Sequence, residues 1–183
     1  MKARLKTITI TTLLSFSVFA AIVYSSCNRD QCKSIVCAYG GVCNNGVCNC
    51  PSGYEGSNCE TISRQKFLGN WSVFEKGSET EAAQYPVSIS EGAKVTDVVI
   101  SNFYNYFTVP VYASIIHDTI IIPNQQYQGK VLFGIGYVYT SVTYGQYGAI
   151  NMEYEIVDTA TQAVNDFGYN SILDHSDPSA WNK

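Results

Sequence analysis

Beyond Cys59 the chain has no cysteine, and ahead of His117 it has no histidine. Nowhere does a CxxC pair occur, so the usual zinc spacings are missing from the region where cysteine is concentrated. Basic residues are also scarce, with 11 Lys+Arg against 15 Asp+Glu and a net charge of −4. No basic stripe is available to neutralise phosphates, which excludes a nucleic-acid role. No serine or spare cysteine stands in a nucleophile-elbow context, so a hydrolytic triad has no support. A convincing helical period is missing throughout. What is present is concentrated: six of the seven cysteines fall at positions 32, 37, 43, 48, 50 and 59. Only Ile35, Val36, Tyr39, Val42, Val47 and Tyr54 are available there to form a core, so the segment needs covalent staples. Disulfides imply an oxidising compartment.

The last cysteine loop, Cys50-Pro51-Ser52-Gly53-Tyr54-Glu55-Gly56-Ser57-Asn58-Cys59, reads C-x-x-G-Y/F-x-G-x-x-C, and Gly40-Gly41-Val42-Cys43 lies upstream. This closely resembles an epidermal-growth-factor-like module. Spacing alone leaves fifteen pairings open. The resemblance implies one: Cys32–Cys43, Cys37–Cys48 and Cys50–Cys59. Each bridge is expected to contribute roughly 2–4 kcal/mol. Modules of this kind act as spacers and contact surfaces far more often than as catalysts.

Lys2, Arg4 and Lys6 precede an apolar run over residues 7–24, the layout of a secretory signal. The run is just long enough to span a bilayer. Tyr24-Ser25-Ser26-Cys27 resembles a bacterial lipobox, which implies cleavage before Cys27 and lipidation of its thiol. Tyr24 stands where such boxes have a Leu-like residue. Cleavage after Ala20 would instead give a soluble secreted protein, and a retained helix a membrane tether. Loss of residues 1–26 removes three basic groups and no acid, leaving 8 Lys+Arg against 15 Asp+Glu. Residues 1–26 are thus expected to form the signal, 27–31 a lipidated tether, 32–60 the module and 61–65 a polar connector. Residues 66–170 form a β-domain, and 171–183 a polar tail.

The second domain has strand texture throughout. Val87 and Ile89 alternate with Ser88 and Ser90. Residues 111–116 and 119–122 flank His117-Asp118, which reads as a hairpin turn. Residues 130–143 put Val131, Phe133, Ile135, Tyr137 and Tyr139 on one face. Met152, Tyr154 and Ile156 alternate with Glu153, Glu155 and Val157. The fold class expected is mainly β: the disulfide-rich module plus an antiparallel meander closed into a small barrel or sandwich. Gly69-Asn70-Trp71 resembles the G-x-W signature that opens the first strand of lipocalin-like (calycin) barrels, where the Trp plugs one end. A core Trp on a first strand is the plain alternative. The wider layout is similar to that of small bacterial surface lipoproteins. It comprises Gly69-Asn70-Trp71-Ser72-Val73, residues 85–90, residues 99–103 and residues 120–123, and implies no established activity.

Candidate chemistry is thin. Gly134-Ile135-Gly136 lacks the third glycine and following helix of a dinucleotide fingerprint, so barrel curvature or close approach is the expected role. Glu153 and Glu155 lie roughly 7 Å apart on one strand face, near the carboxylate spacing of glycosidases, but that face reads as solvent-exposed. Asp174-His175-Ser176-Asp177 is expected to be a frayed terminus rather than a metal site. Asn28-Arg29-Asp30-Gln31-Cys32 matches half of the calcium-binding growth-factor pattern, and residues 44–47 do not supply the rest, so weak calcium binding near Asn28 and Asp30 is all it could support. No metal or cofactor is expected. Tyrosine is abundant, with 11 of 14 between Tyr85 and Tyr169. β-propensity and core filling explain most of them. Tyr144-Gly145-Gln146-Tyr147-Gly148 reads best as a recognition loop. The leading expectation is a non-enzymatic, lipid-anchored surface protein whose β-domain binds a protein or glycan, with the membrane and that ligand as its partners. The alternative is a lipocalin-like carrier with an internal cavity for a small apolar ligand. Interior residue size separates the two.

Overall fold

The computed structural model describes residues 30–170 and 177–183. The signal, Cys27 and Asn28 lie outside the described residues, as does Asp174-His175-Ser176. The cysteine-rich module carries two small hairpins, β1 (Val42–Asn44) with β2 (Val47–Asn49) and β3 (Tyr54–Glu55) with β4 (Thr61–Ile62). Three disulfides hold them: Cys32–Cys43, Cys37–Cys48 and Cys50–Cys59. Gly41 is required by close approach, since a Cβ there would sit 2.8 Å from Cys59 Sγ. Tyr39 and Tyr54 stack at 4.3 Å in place of a core.

The polar connector of residues 61–65 is built into both neighbours. Thr61 and Ile62 pair with β3, and Ser63–Lys66 forms a 3-10 turn that leads directly into the second domain. Polar composition concealed this, because the order comes from backbone pairing and from cations. Arg64 donates to Lys94 O at 2.7 Å and pairs with Glu91 at 2.9 Å. Lys66 pairs with Glu55 of the module and with Asp118 of the barrel.

The second domain is an eight-stranded antiparallel barrel. Its strands are β5 (Gly69–Glu75), β6 (Ala83–Glu91), β7 (Asp97–Ser101), β8 (Val111–Ile116), β9 (Thr119–Tyr127), β10 (Lys130–Ser141), β11 (Gly145–Asp158) and β13 (Ser179–Asn182). Each of β5 to β11 pairs with its sequence neighbour, and β13 closes the ring between β11 and β5. A further strand, β12 (Val164–Phe167), pairs with the C-terminal half of β11 beyond β13. The expectation of a polar 171–183 tail fails for its last residues, which form β13. Trp181 is 1 % exposed and sits opposite Val73 and Ile150. Four residues are too few to show a period, but burying one Trp against two neighbouring strands is enough to fix them.

The interior is filled. Trp71, Trp181, Tyr154, Phe67, Phe103 and Phe167 are all essentially inaccessible. Phe103 meets Tyr154 edge-on at 4.9 Å, and Tyr154 stacks on Phe167 at 4.3 Å. On β10 the face carrying Phe133, Ile135, Tyr137 and Tyr139 is the outer one, while Leu132, Gly134, Gly136 and Val138 point inward. The two glycines do not open a cavity. A Cβ on Gly134 would lie 2.4 Å from Tyr154 Cβ, and one on Gly136 would lie 2.8 Å from Met152 Sδ. They make room for larger neighbours. One end of the barrel is sealed by the 3-10 turn and Trp71. The Trp71 indole N–H donates to Phe67 O at 2.7 Å. Lys183 holds its ammonium 4.7 Å from the centre of the Trp71 ring and donates to Lys66 O at 3.1 Å.

Candidate functional site

Loops cover the other end of the barrel, with Phe103 and Phe107 turned into the core. Four segments meet there: the β5–β6 loop (76–82), the β7–β8 connection (102–110), the Gln128-Gly129 turn and the β11–β12 turn (159–163). They frame two adjoining clefts of about 220 and about 270 Å³. Tyr104 and Thr80 line both and form the partition between them. The first cleft is completed by Glu79, Lys130, Asp158, Thr161 and Asn165, the second by Glu75, Glu81, Tyr85, Asn105 and Tyr106.

The partition is rigidly held. Tyr104 adopts a left-handed backbone (φ 58°, ψ 15°), which costs an aromatic residue on the order of 1 kcal/mol. Asn102 and Asn105 on either side are left-handed too, at lower cost because Asn tolerates that region. The strained turn is secured from three directions. The Asn102 amide donates to Pro86 O at 2.7 Å, and the Tyr104 ring meets Phe167 edge-on at 5.7 Å. Its hydroxyl accepts from Asn165 Nδ2 at 3.0 Å. Asn165 also donates to Thr80 Oγ1 and accepts from the Glu79 N–H, so all its polar atoms are engaged. Gly77 lets this amide approach, since a Cβ there would sit 2.1 Å from Asn165 Oδ1.

Charge at the mouth is mostly negative. Lys130 is the cation of the two clefts. It pairs with Asp158 at 3.3 Å and lies 5.3 Å from the centre of the Tyr106 ring. Asp158 is held down at about 2, chiefly by the backbone N–H groups of Thr161 and Ala160 and then by Lys130. Glu75 reaches the second cleft from inside the wall. It accepts from Ser179 Oγ at 2.5 Å, from Tyr154 at 2.8 Å and from the Tyr85 hydroxyl. Burial pushes its carboxyl above the ordinary range, against the lowering effect of those three donors. The same burial raises the Tyr85 and Tyr154 hydroxyls, so both stay protonated and donate.

The residues picked out from sequence are scattered. Tyr144 is exposed in the β10–β11 turn at the sealed end of the barrel. Tyr147 is half-buried: it packs against the core, and the Lys66 ammonium sits 5.3 Å from its ring centre. The glycines around it announce a turn but not the burial of its ring. His117 stands in the β8–β9 turn, 3.8 Å from Glu55. Glu153 and Glu155 point outward from β11. Glu155 lies opposite Asp166, and its carboxyl is raised by burial and then by that neighbouring charge. Asp30 accepts from the Cys32 N–H at 3.0 Å. Among the described residues no group of three or more His, Cys, Asp or Glu is arranged to hold a metal ion. Tyr104 and Tyr106 stood out only as two tyrosines among many, and Thr80, Glu75, Lys130 and Asn165 gave no signal because the loops that unite them are far apart in sequence.

No family model matches the chain. Fibropellin-3 of Strongylocentrotus purpuratus is 28% identical over 101 residues, which is 45% of this chain and 17% of that protein. The chain therefore spans well under a fifth of the length of this curated relative. The similarity, with three disulfides inside residues 32–59, fits an epidermal-growth-factor-like module. A β-barrel follows it. Such a disulfide framework belongs to an extracytoplasmic chain.

Proposed function

We propose that this is a non-enzymatic binding protein of a bacterial cell surface or outer membrane, anchored by a lipid on Cys27. In this reading the growth-factor-like module is a stapled stalk, and the barrel presents its cleft-bearing end to a glycan or protein. The observation that carries the reading is polarity along the barrel. The module's Glu55 meets Lys66 and His117 at the sealed end, and the clefts around the strained Tyr104 lie at the opposite end. A stalk at one end and preorganised polar clefts at the other suit display.

The buried Trp71 at the start of β5 favours reading the G-x-W resemblance as kinship with lipocalin-like barrels. A carrier of apolar cargo is the weaker reading, because Trp71, Trp181, Tyr154 and Phe103 occupy the interior that cargo would need. The test is the intact mass of the protein from membranes of its native host. An acylated N-terminal Cys27 with three disulfides is the expected result. An unlipidated chain beginning at Ala21 would overturn the anchored reading.

A further inference from the structure

We infer that the barrel mouth takes an uncharged saccharide, with one sugar ring in each cleft and Tyr104 between them. This deepens the binding reading above and rests on it. A sugar ring offers a C–H face to an aromatic surface and a rim of hydroxyls that both donate and accept. The mouth supplies both complements. Tyr104 forms the wall between the clefts and Tyr106, 43 % exposed, flanks the second. Aromatic faces are electron-rich and attract polarised C–H groups. The hydrogen-bonding inventory is mixed: Thr80 and Asn105 can donate and accept, and Glu79 and Glu81 accept. Thr80 and Asn105 are short and lose less side-chain entropy on binding than the longer glutamates.

Size and charge narrow the class. Each cleft is smaller than the about 300–1,000 Å³ that encloses a drug-sized ligand, and suits a single ring. The two clefts meet at Tyr104 and Thr80, so a linked pair of rings can straddle the partition. Glu79 and Glu81 at the rim and Glu75 below repel sulfated or carboxylated sugars. The ammonium of Lys130 is already committed to Asp158 and the Tyr106 ring, and Lys76 lines a neighbouring groove with Asp177 rather than either cleft, so neither offsets that repulsion within the clefts.

The test uses the mature chain with its disulfides intact. It is screened on an array of neutral, amino- and acidic oligosaccharides, and each hit is titrated by ¹H–¹⁵N NMR. The expected result is binding of neutral disaccharides with shifts confined to the mouth. Tyr106→Ala should weaken it at least about tenfold, as for a central aromatic contact. Tyr139→Ala, on the outer wall, should leave it unchanged. Glu81→Gln keeps the hydrogen bonds and removes the charge, so neutral saccharides should bind within about twofold of the parent, whereas a cationic ligand would lose most of its affinity. Absence of any neutral hit, or preference for acidic or amino sugars, overturns the ligand class. A peptide that shifts the same mouth residues would overturn the saccharide and keep the mouth. Shifts gathered on Tyr137 and Tyr139 instead would overturn both readings.

Discussion

Replacing Tyr154 by phenylalanine takes one of three donors from the Glu75 carboxylate and leaves the ring packing nearly intact. The hydroxyl lies 2.8 Å from Glu75 Oε2 at a position where Tyr154 is fully buried, so no solvent molecule takes its place without repacking. A hydrogen bond to an ionised group is worth about 1.5–3 kcal/mol, against roughly 0.5–1.5 for a neutral pair. The cost should therefore depend on pH. Burial raises the Glu75 carboxyl above its ordinary value, so over that interval the folded protein holds a proton that the unfolded chain has released. Its contribution to stability is then full below the ordinary glutamate range and is lost as pH rises through the folded-state value. Above that value the carboxylate is charged and needs all three donors. Guanidinium unfolding of both proteins at pH 4 and pH 8 should show Tyr154→Phe costing about twice as much at pH 8. In thermal scans at pH 8 the midpoint should fall by roughly 4–10 °C. Glu75→Gln should flatten the parent's loss of stability across the same interval. An equal cost of Tyr154→Phe at both pH values would refute the assignment of Tyr154 as a donor to an ionised Glu75.

Gly134→Ala should destabilise the barrel by about 1–3 kcal/mol through overpacking against Tyr154, read as a lower denaturation midpoint at unchanged m-value. Trp181→Ala should cost about 3–5 kcal/mol, and near-UV circular dichroism should show the loss of the core signal that a dispensable tail would not produce. Lys66→Ala leaves Glu55 without its 2.7 Å partner at the junction of module and barrel. It should speed limited proteolysis between residues 60 and 68 while the barrel melts within a few degrees of the parent, and an unchanged cleavage rate would count against a fixed junction. Reduction of the three disulfides should unfold residues 32–59 and leave barrel strand signals in place, as seen by amide exchange.

Strands that are buried on one side only were legible in the sequence. Met152, Tyr154 and Ile156 alternate against Glu153, Glu155 and Val157, and the structure buries the first set. On β10 the same logic identifies two faces without ranking them. Phe133, Ile135, Tyr137 and Tyr139 are larger than Leu132, Gly134, Gly136 and Val138, yet the smaller set faces the core. The reason is across the strand: Tyr154 and Met152 on β11 fill the space that a β10 side chain would take. Interior volume is shared between neighbours, and no single strand records the division. β13 was illegible for a different reason, since Ser179–Asn182 is too short for periodicity and its order derives from two partners distant in sequence.

The contrast between the two pairs of tyrosines shows why the proposed binding end could not be read in advance. Tyr144 and Tyr147 sit among glycines, which mark a turn and invite a recognition role. Tyr104 and Tyr106 sit in a stretch with no glycine at all, although three of its residues have left-handed backbones. Sequence rules assign that conformation to Gly and Asn, so a Tyr held there by Asn165, from a strand sixty residues away, leaves no local trace. The ends of the barrel also divide the cations unequally. At the sealed end Arg64, Lys66 and Lys183 are consumed by backbone carbonyls, carboxylates and the rings of Trp71 and Tyr147. At the mouth Lys130 is opposed by Asp158, Glu79 and Glu81. In the proposed reading stability and recognition are thereby separated along one axis, and changes at the mouth should alter binding while leaving the end that meets the module undisturbed.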